Sequence, residues 1–236
     1  MNQGAEPVQT TLIIDTASPI TWVGLGGPDG KWTWQSSAQE SGIALFRLVA
    51  ELTGRDSASL RTVRTVAFCE GPGSMLGIRT AIMAIQTWMA SGALGQADLA
   101  AYSSLALAAA GVRNKKQATS FSVAIDARRQ SWYGLVNKPG GAQAAEIKRI
   151  AHDQADSLDE PVFLPDLFPI WNPRPDGWEN VPYLPELLES SDLRRTLLRS
   201  VDPPEAFQMD PPTYQKWTPA INRTRDRPTP AQEANR

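Results

Sequence analysis

Leu12-Ile13-Ile14-Asp15, a polar turn, then Trp22-Val23-Gly24-Leu25: this opening is repeated later in the same chain as Val123-Ala124-Ile125-Asp126, a turn one residue shorter, and Trp132-Tyr133-Gly134-Leu135. Each copy is three apolar residues, an Asp, a polar turn and Trp-x-Gly-Leu. Hairpins with apolar strands are common, so such echoes also arise by chance. Here Asp, Trp and Gly recur in step, which favours a duplicated unit in which each half opens with the same hairpin. A strand-ending Asp before a tight hairpin suits phosphate or metal chemistry, because turn amides face phosphate oxygens and the carboxylate holds a cation's water shell. In a degenerate site the same Asp only caps its turn. Asp15 and Asp126 are therefore the first candidates.

Working outward, Lys31 to Gln35 alternates, with Trp32 and Trp34 on one side, and predicts a third strand. Ile43, Leu45, Phe46, Leu48, Val49 and Leu52 recur at helical spacing before Gly54. Val63 to Cys69 reads as a buried strand, Leu76 to Ala90 as a helix and Leu99 to Tyr102 as a short strand. Ser103 or Ser104 caps an alanine-rich helix to Ala110. In the second half, strands are expected at Ser122–Asp126, Ser131–Val136, Ala144–Ile150 and Pro161–Leu164, with a helix over Leu184–Leu198. This order predicts an α/β chain. The expected organisation is a lobe over 1–118, a smaller lobe over 119–202, and a proline-rich, extended or disordered tail over 203–236. Of the 19 prolines, 14 lie from Pro161 onward.

The 23 Lys and Arg nearly balance 25 Asp and Glu, so no basic excess points to nucleic-acid binding by this chain alone. Cys69 is the single cysteine, which excludes an internal disulfide and suits a reducing compartment. Met1 to Gln9 lacks an apolar signal core, and the apolar run at Ala81–Ala90 is too short to span a bilayer. A cytoplasmic protein without a membrane partner is the expectation.

Gly71-Pro72-Gly73-Ser74 lies between a strand and a helix. In one reading Gly71 and Gly73 permit close backbone approach and, with Ser74 at the helix N-terminus, cradle a phosphate. In the other, the loop is a compact turn with Ser74 as helix cap, which is favoured because the Lys and spacing of a phosphate-binding Walker loop are missing. After Gly141 the chain holds only Gly177, which argues against a glycine-rich adenosine cradle in the second lobe. His152 is the only histidine, so a multi-histidine metal site within one chain is excluded. Cys69 reads as a structural thiol, and Ser103 and Ser104 as caps. No catalytic or metal-binding residue is assigned. The helix from Leu76 is apolar nearly all round, with Arg79 its only charge. Ile78, Ile82, Ile85 and Met89 form one stripe on it. A second helix or lobe of the same chain covers that stripe, or a partner does.

Ile13-Ile14-Asp15-Thr16-Ala17-Ser18, Glu70-Gly71-Pro72-Gly73-Ser74-Met75-Leu76-Gly77-Ile78-Arg79, Tyr102-Ser103-Ser104-Leu105, Ala124-Ile125-Asp126-Ala127-Arg128 with Trp132-Tyr133, and Pro212-Thr213-Tyr214 together resemble, in order, the TsaB (YeaZ) family. The glycine segment is the most specific. It departs from the family pattern at Met75-Leu76, where Phe-Thr is usual. The resemblance implies a two-lobed actin-like (ribonuclease H-like) fold of mixed sheets with flanking helices, the second lobe reduced. It implies a non-catalytic scaffold that pairs with the catalytic subunit TsaD and the ATPase TsaE to make threonylcarbamoyladenosine beside the anticodon of tRNAs. It implies a homodimer when the chain is alone, tRNA met only through the complex, and no cofactor on its own, with ATP and magnesium entering in the complex. With the resemblance, Ile78, Arg79, Ile82, Ile85 and Met89 become the expected partner surface, and Asp15, Gly71, Gly73, Ser74 and Asp126 a degenerate phosphate site. The alternative readings are a small actin-fold ATPase or phosphotransferase, and a metallo-glycopeptidase-like enzyme, which the single histidine disfavours.

Overall fold

The computed structural model describes residues 10–54, 60–116, 118–137, 146–159 and 161–208. The two quoted hairpins form in the same register. β1 (Thr11–Asp15) pairs antiparallel with β2 (Thr21–Gly26), placing Asp15 opposite Trp22 and Ile13 opposite Gly24. β6 (Phe121–Asp126) pairs with β7 (Ser131–Asn137), placing Asp126 opposite Trp132 and Ala124 opposite Gly134. The shared glycine is a matter of space. A Cβ on Gly24 would come within 2.7 Å of the Trp34 ring, and one on Gly134 within 2.7 Å of the Leu158 side chain.

The correspondence extends past the hairpins. β3 (Trp32–Ser37) lies antiparallel to β2, and β8 (Ile147–Ala151) antiparallel to β7. β4 (Thr65–Gly71) runs parallel to β1, and β9 (Val162–Pro165) parallel to β6. β5 (Asp98–Ser103) and β10 (Glu179–Val181) extend the two sheets in parallel. The strand orders are β11-β5-β4-β1-β2-β3 and β10-β9-β6-β7-β8. The extra strand of the first sheet, β11 (Arg199–Ser200), returns from the end of the second half to pair antiparallel with β5. The fold is the expected mixed α/β arrangement.

Four α-helices are described. α1 (Ser41–Thr53) buries Ala44, Leu45, Leu48 and Val49, and stops at Gly54 with φ 81°. α2 (Met75–Ala90) is capped by Ser74, whose Oγ accepts the Gly77 amide. α3 (Ser104–Lys116) runs past the expected end at Ala110. Arg113, Lys115 and Lys116 sit in its last turn, where cations suit the helix dipole. Its alanine-rich body packs on both sheets. The single helix expected over Leu184–Leu198 is instead a 3₁₀ turn at Pro185–Glu189 and the short α4 (Ser191–Leu197). Ser190 separates them, since its extended backbone and its side chain, which accepts the Leu193 amide, begin a new helix.

One buried cluster joins the halves, running from Leu12, Ile14, Phe68 and Leu107 to Phe121, Val123, Ile125 and Phe163. A smaller one centred on Trp132 and Trp178 includes Ala124, Ile150, Leu158 and Leu164. Pro212-Thr213-Tyr214 and the tail from 209 lie outside the described residues. Among the described residues no helix is long and apolar enough to cross a membrane.

Candidate functional site

Asp15 is fully buried and fully engaged. Its Oδ1 accepts the Ala17 amide at 2.9 Å; its Oδ2 accepts the hydroxyls of Tyr102 at 2.8 Å and Tyr183 at 2.6 Å. Burial raises its pKa above the usual 3.8, against the lowering effect of these donors. Burial, and then the carboxylate itself, push both tyrosine hydroxyls and the Cys69 thiol well up, so they stay protonated. Cys69 Sγ lies 3.8 Å from the Tyr183 hydroxyl. Asp15 therefore serves as a turn cap and as the acceptor of a buried polar cluster. Both carboxylate oxygens are engaged by protein donors in a site with no solvent exposure.

The Gly71–Ser74 loop is clasped from both sides. Ser74 donates its amide to the Ala17 carbonyl at 2.7 Å, and Ser104 Oγ donates to the Pro72 carbonyl at 2.6 Å. A Cβ on Gly73 or Gly77 would stand 2.3 Å from the carbonyl oxygen of Ala17 or Thr16. The glycines let the start of α2 touch the β1–β2 turn backbone to backbone. The loop's local role is thus the compact turn with a serine cap.

Asp126, nearly buried, accepts four donors: the amides of Arg128 (2.7 Å), Trp171 (2.8 Å) and Asn172 (2.7 Å), and the Asn172 side chain (3.0 Å). It pins the loop after β9 to the β6–β7 turn. A cavity of about 630 Å³ lies between the two hairpin turns, with Gly73, Ser74, Asp126 and Arg128 on its polar side and Tyr133, Phe168, Trp171 and Phe207 on its aromatic side. The structure thus brings Gly73, Ser74 and Asp126 to one cavity and leaves Asp15 and Gly71 off its walls. Among the described residues no group of three or more His, Cys, Asp or Glu side chains is placed to hold a metal ion.

The partner stripe requires a correction. Ile78, Ile82 and Ile85 are only 1%, 7% and 0% exposed, packed into the core of this chain. Each such side chain contributes about 1.5–3 kcal/mol of burial to the fold, which rules it out as a free surface. Arg79 and Met89 are exposed. The outward face is a different one, carried by Leu76 (71% exposed) and Met83 (60%); Ile43 and Phe46 are exposed on the neighbouring α1. Thr80 and Thr87 share that face at helical spacing. Their hydroxyls turn back onto the Leu76 and Met83 carbonyls, at 2.9 and 2.7 Å, leaving their methyls to the surface. Phe46 meets Trp88 edge to face at 5.8 Å, which ties the two helices.

Tyr102 and Tyr183, which close the Asp15 cluster, are not among the candidates that the sequence yields. A tyrosine ending a buried strand needs a hydroxyl partner, and that signal is present at Tyr102. Nothing local marks Tyr183.

No family model matches the chain, and no curated protein matches it. Solved structures do. A crystal structure of an uncharacterized protein with similarity to peptidase YeaZ from Pseudomonas aeruginosa superposes with a TM-score of 0.62 at 21% identity, covering 86% of this chain and 100% of that one. YeaZ from Pseudomonas aeruginosa superposes with a TM-score of 0.55 at 22% identity, over 75% of this chain and 85% of that one. The duplicated hairpins, the two mixed sheets and the joining helix of this chain are thus the actin-like fold that these YeaZ-like structures share.

Proposed function

We propose that this chain is a TsaB-type, non-catalytic scaffold subunit. It pairs through the outer face of α1 and α2 with a TsaD-like catalytic subunit, joined by a TsaE-like ATPase, in making threonylcarbamoyladenosine in tRNA. The observation that carries this is the apolar stripe of Leu76, Thr80, Met83 and Thr87 with Ile43 and Phe46, whose threonine hydroxyls are spent within the helix. A helix that buries one face on its own sheet and keeps a second face apolar is suited to helix-on-helix pairing. The same face serves a homodimer when the chain is alone. The YeaZ-like fold supports the assignment. Catalysis, ATP and magnesium belong to the partners in this reading, and the compartment is the cytoplasm.

The enzyme readings find less support. The Asp15 and Asp126 carboxylates are spent on protein donors. The Cys69 thiol is buried and held protonated, a poor nucleophile for a peptidase.

The test is size exclusion with light scattering of the full chain and its own organism's TsaD-like subunit. A stoichiometric heterodimer, abolished in Met83→Glu, supports the reading. A folded chain that forms no complex, with or without ATP and the TsaE-like subunit, overturns it.

A further inference from the structure

The β6–β7 turn holds three consecutive non-glycine residues in the left-handed region: Arg128, Arg129 and Gln130, at φ 61°, 48° and 55°. Residues bearing a Cβ avoid this region, and a run of them persists only where neighbours hold it. Here the hold is extensive. Asp126 Oδ1 accepts the Arg128 amide at 2.7 Å, Ser131 donates its amide and hydroxyl to the Arg128 carbonyl at 3.1 and 2.8 Å, and the His152 amide donates to the Gln130 carbonyl at 2.8 Å. The equivalent turn of the first half is uncharged, has no left-handed residue, and is buried at Thr16, Ala17 and Ser18. Two copies of one hairpin have thus diverged, and the second carries two exposed arginines at its tip.

Neither arginine has an ion-pair partner among the described residues. The Arg128 guanidinium lies 4.3 Å from the centre of the Trp171 ring, which is 52% exposed. At the foot of the turn the Arg149 Nε donates to Ser131 Oγ at 3.0 Å and helps to hold it. Asp126, beneath the turn, makes no ion pair with either arginine; its oxygens accept three backbone amides and the Asn172 side chain. Planar guanidinium forks match phosphate oxygens, and a half-exposed indole offers a stacking platform for an unpaired base. An acidic protein would satisfy the arginines but would not draw on the half-exposed indole beside them, whereas RNA offers phosphates for the one and a base for the other.

We propose that the Arg128–Arg129 tip, with Trp171, contacts the phosphate backbone and an unstacked base of RNA. The inference rests on the scaffold reading and deepens it, by giving this chain its own share of the tRNA surface. Direct contact departs from the expectation that RNA is met only through the complex.

The test is fluorescence anisotropy with a labelled anticodon stem-loop transcript, titrated at several salt concentrations with the full chain, alone and paired with its TsaD-like subunit. R128Q/R129Q is expected to weaken binding and lower the slope of log affinity against log salt by about two, one for each phosphate no longer neutralised. W171L is expected to weaken binding about tenfold with the slope unchanged. Both variants should keep the wild-type circular dichroism and heterodimer. Unchanged affinity and slope in R128Q/R129Q overturns the proposal. So does absence of RNA binding by the wild-type chain and complex, or a polyglutamate probe that binds more tightly than RNA and fails to bind the same variant. A wild-type chain that binds RNA and forms no heterodimer sinks the scaffold reading while leaving the tip. A heterodimer that binds no RNA does the reverse.

Discussion

The Tyr183 hydroxyl donates to Asp15 Oδ2 over 2.6 Å, across a sequence separation of 168. Tyr183 follows β10, so this bond ties the end of the second sheet to the first strand of the first. With Tyr102 it closes the carboxylate from its outer side. Tyr183→Phe should leave a buried acceptor with one donor fewer and cost about 1–3 kcal/mol, read as a lower urea midpoint at unchanged m-value.

The same cluster has a pH signature. Burial raises the Asp15 pKa above 3.8, so the native state binds this proton more tightly than the unfolded chain. Its contribution to stability is present in full below 3.8 and is lost as pH rises through the folded value. Other carboxylates contribute the opposite trend, so the readout is a difference. Relative to Asp15→Asn, the wild-type chain should lose stability on going from acid toward neutral pH. A difference that grows with rising pH in favour of the wild type would contradict the assignment.

The two faces of α2 should respond oppositely to charge. Ile82→Glu places a carboxylate at a site only 7% exposed and should cost several kcal/mol of folding stability, about 3 or more. Leu76→Glu and Met83→Glu replace exposed side chains and should move stability by less than about 0.5 kcal/mol. Their effect should appear in association, as a shift to monomer in sedimentation of the isolated chain. A Met83→Glu chain that unfolds, or an Ile82→Glu chain that stays folded, would reverse the assignment of the faces.

Close backbone contact at the start of α2 makes a third contrast. Gly73→Ala and Gly77→Ala each put a methyl 2.3 Å from a carbonyl oxygen, and should destabilise by about 2–4 kcal/mol. Gly111→Ala, inside α3, places its methyl no nearer than 3.5 Å to other atoms and should be neutral or stabilising by up to about 1 kcal/mol. Thermal unfolding of the three variants decides it.

At the β6–β7 turn, Gln130→Gly removes a Cβ from a residue at φ 55°. Relief of left-handed strain outweighs the added freedom of the unfolded chain, giving a net gain of about 0.5–1 kcal/mol. A loss of stability would mean that the Gln130 side chain holds the turn.

The repeat was legible because its parts are local. Asp15 faces Trp22 and Asp126 faces Trp132 in matching registers, and each glycine sits under a bulky neighbour that excludes a side chain. Ser74 as a cap was legible for the same reason. The outward face of α2 was not. Ile78, Ile82 and Ile85 make as good an apolar stripe as Leu76 and Met83, and only the sheet beneath decides which is covered. Thr80 and Thr87 obscured the answer further, because their residue type does not tell that their hydroxyls fold back. The closure of Asp15 by Tyr183 was illegible in principle, since it depends on a contact made after both sheets have assembled.

That dependence reappears at β11. Arg199 and Ser200 supply the strand that covers the outer edge of β5, and Arg199 also pairs with Glu70. During synthesis the ribosome will have emitted every other strand of the first sheet before this edge can be covered. A nascent chain halted short of 199 would carry an open strand edge, a template for pairing with its neighbours. The order of synthesis thus leaves the β5 edge as the latest of the described strand edges in the first sheet to be covered.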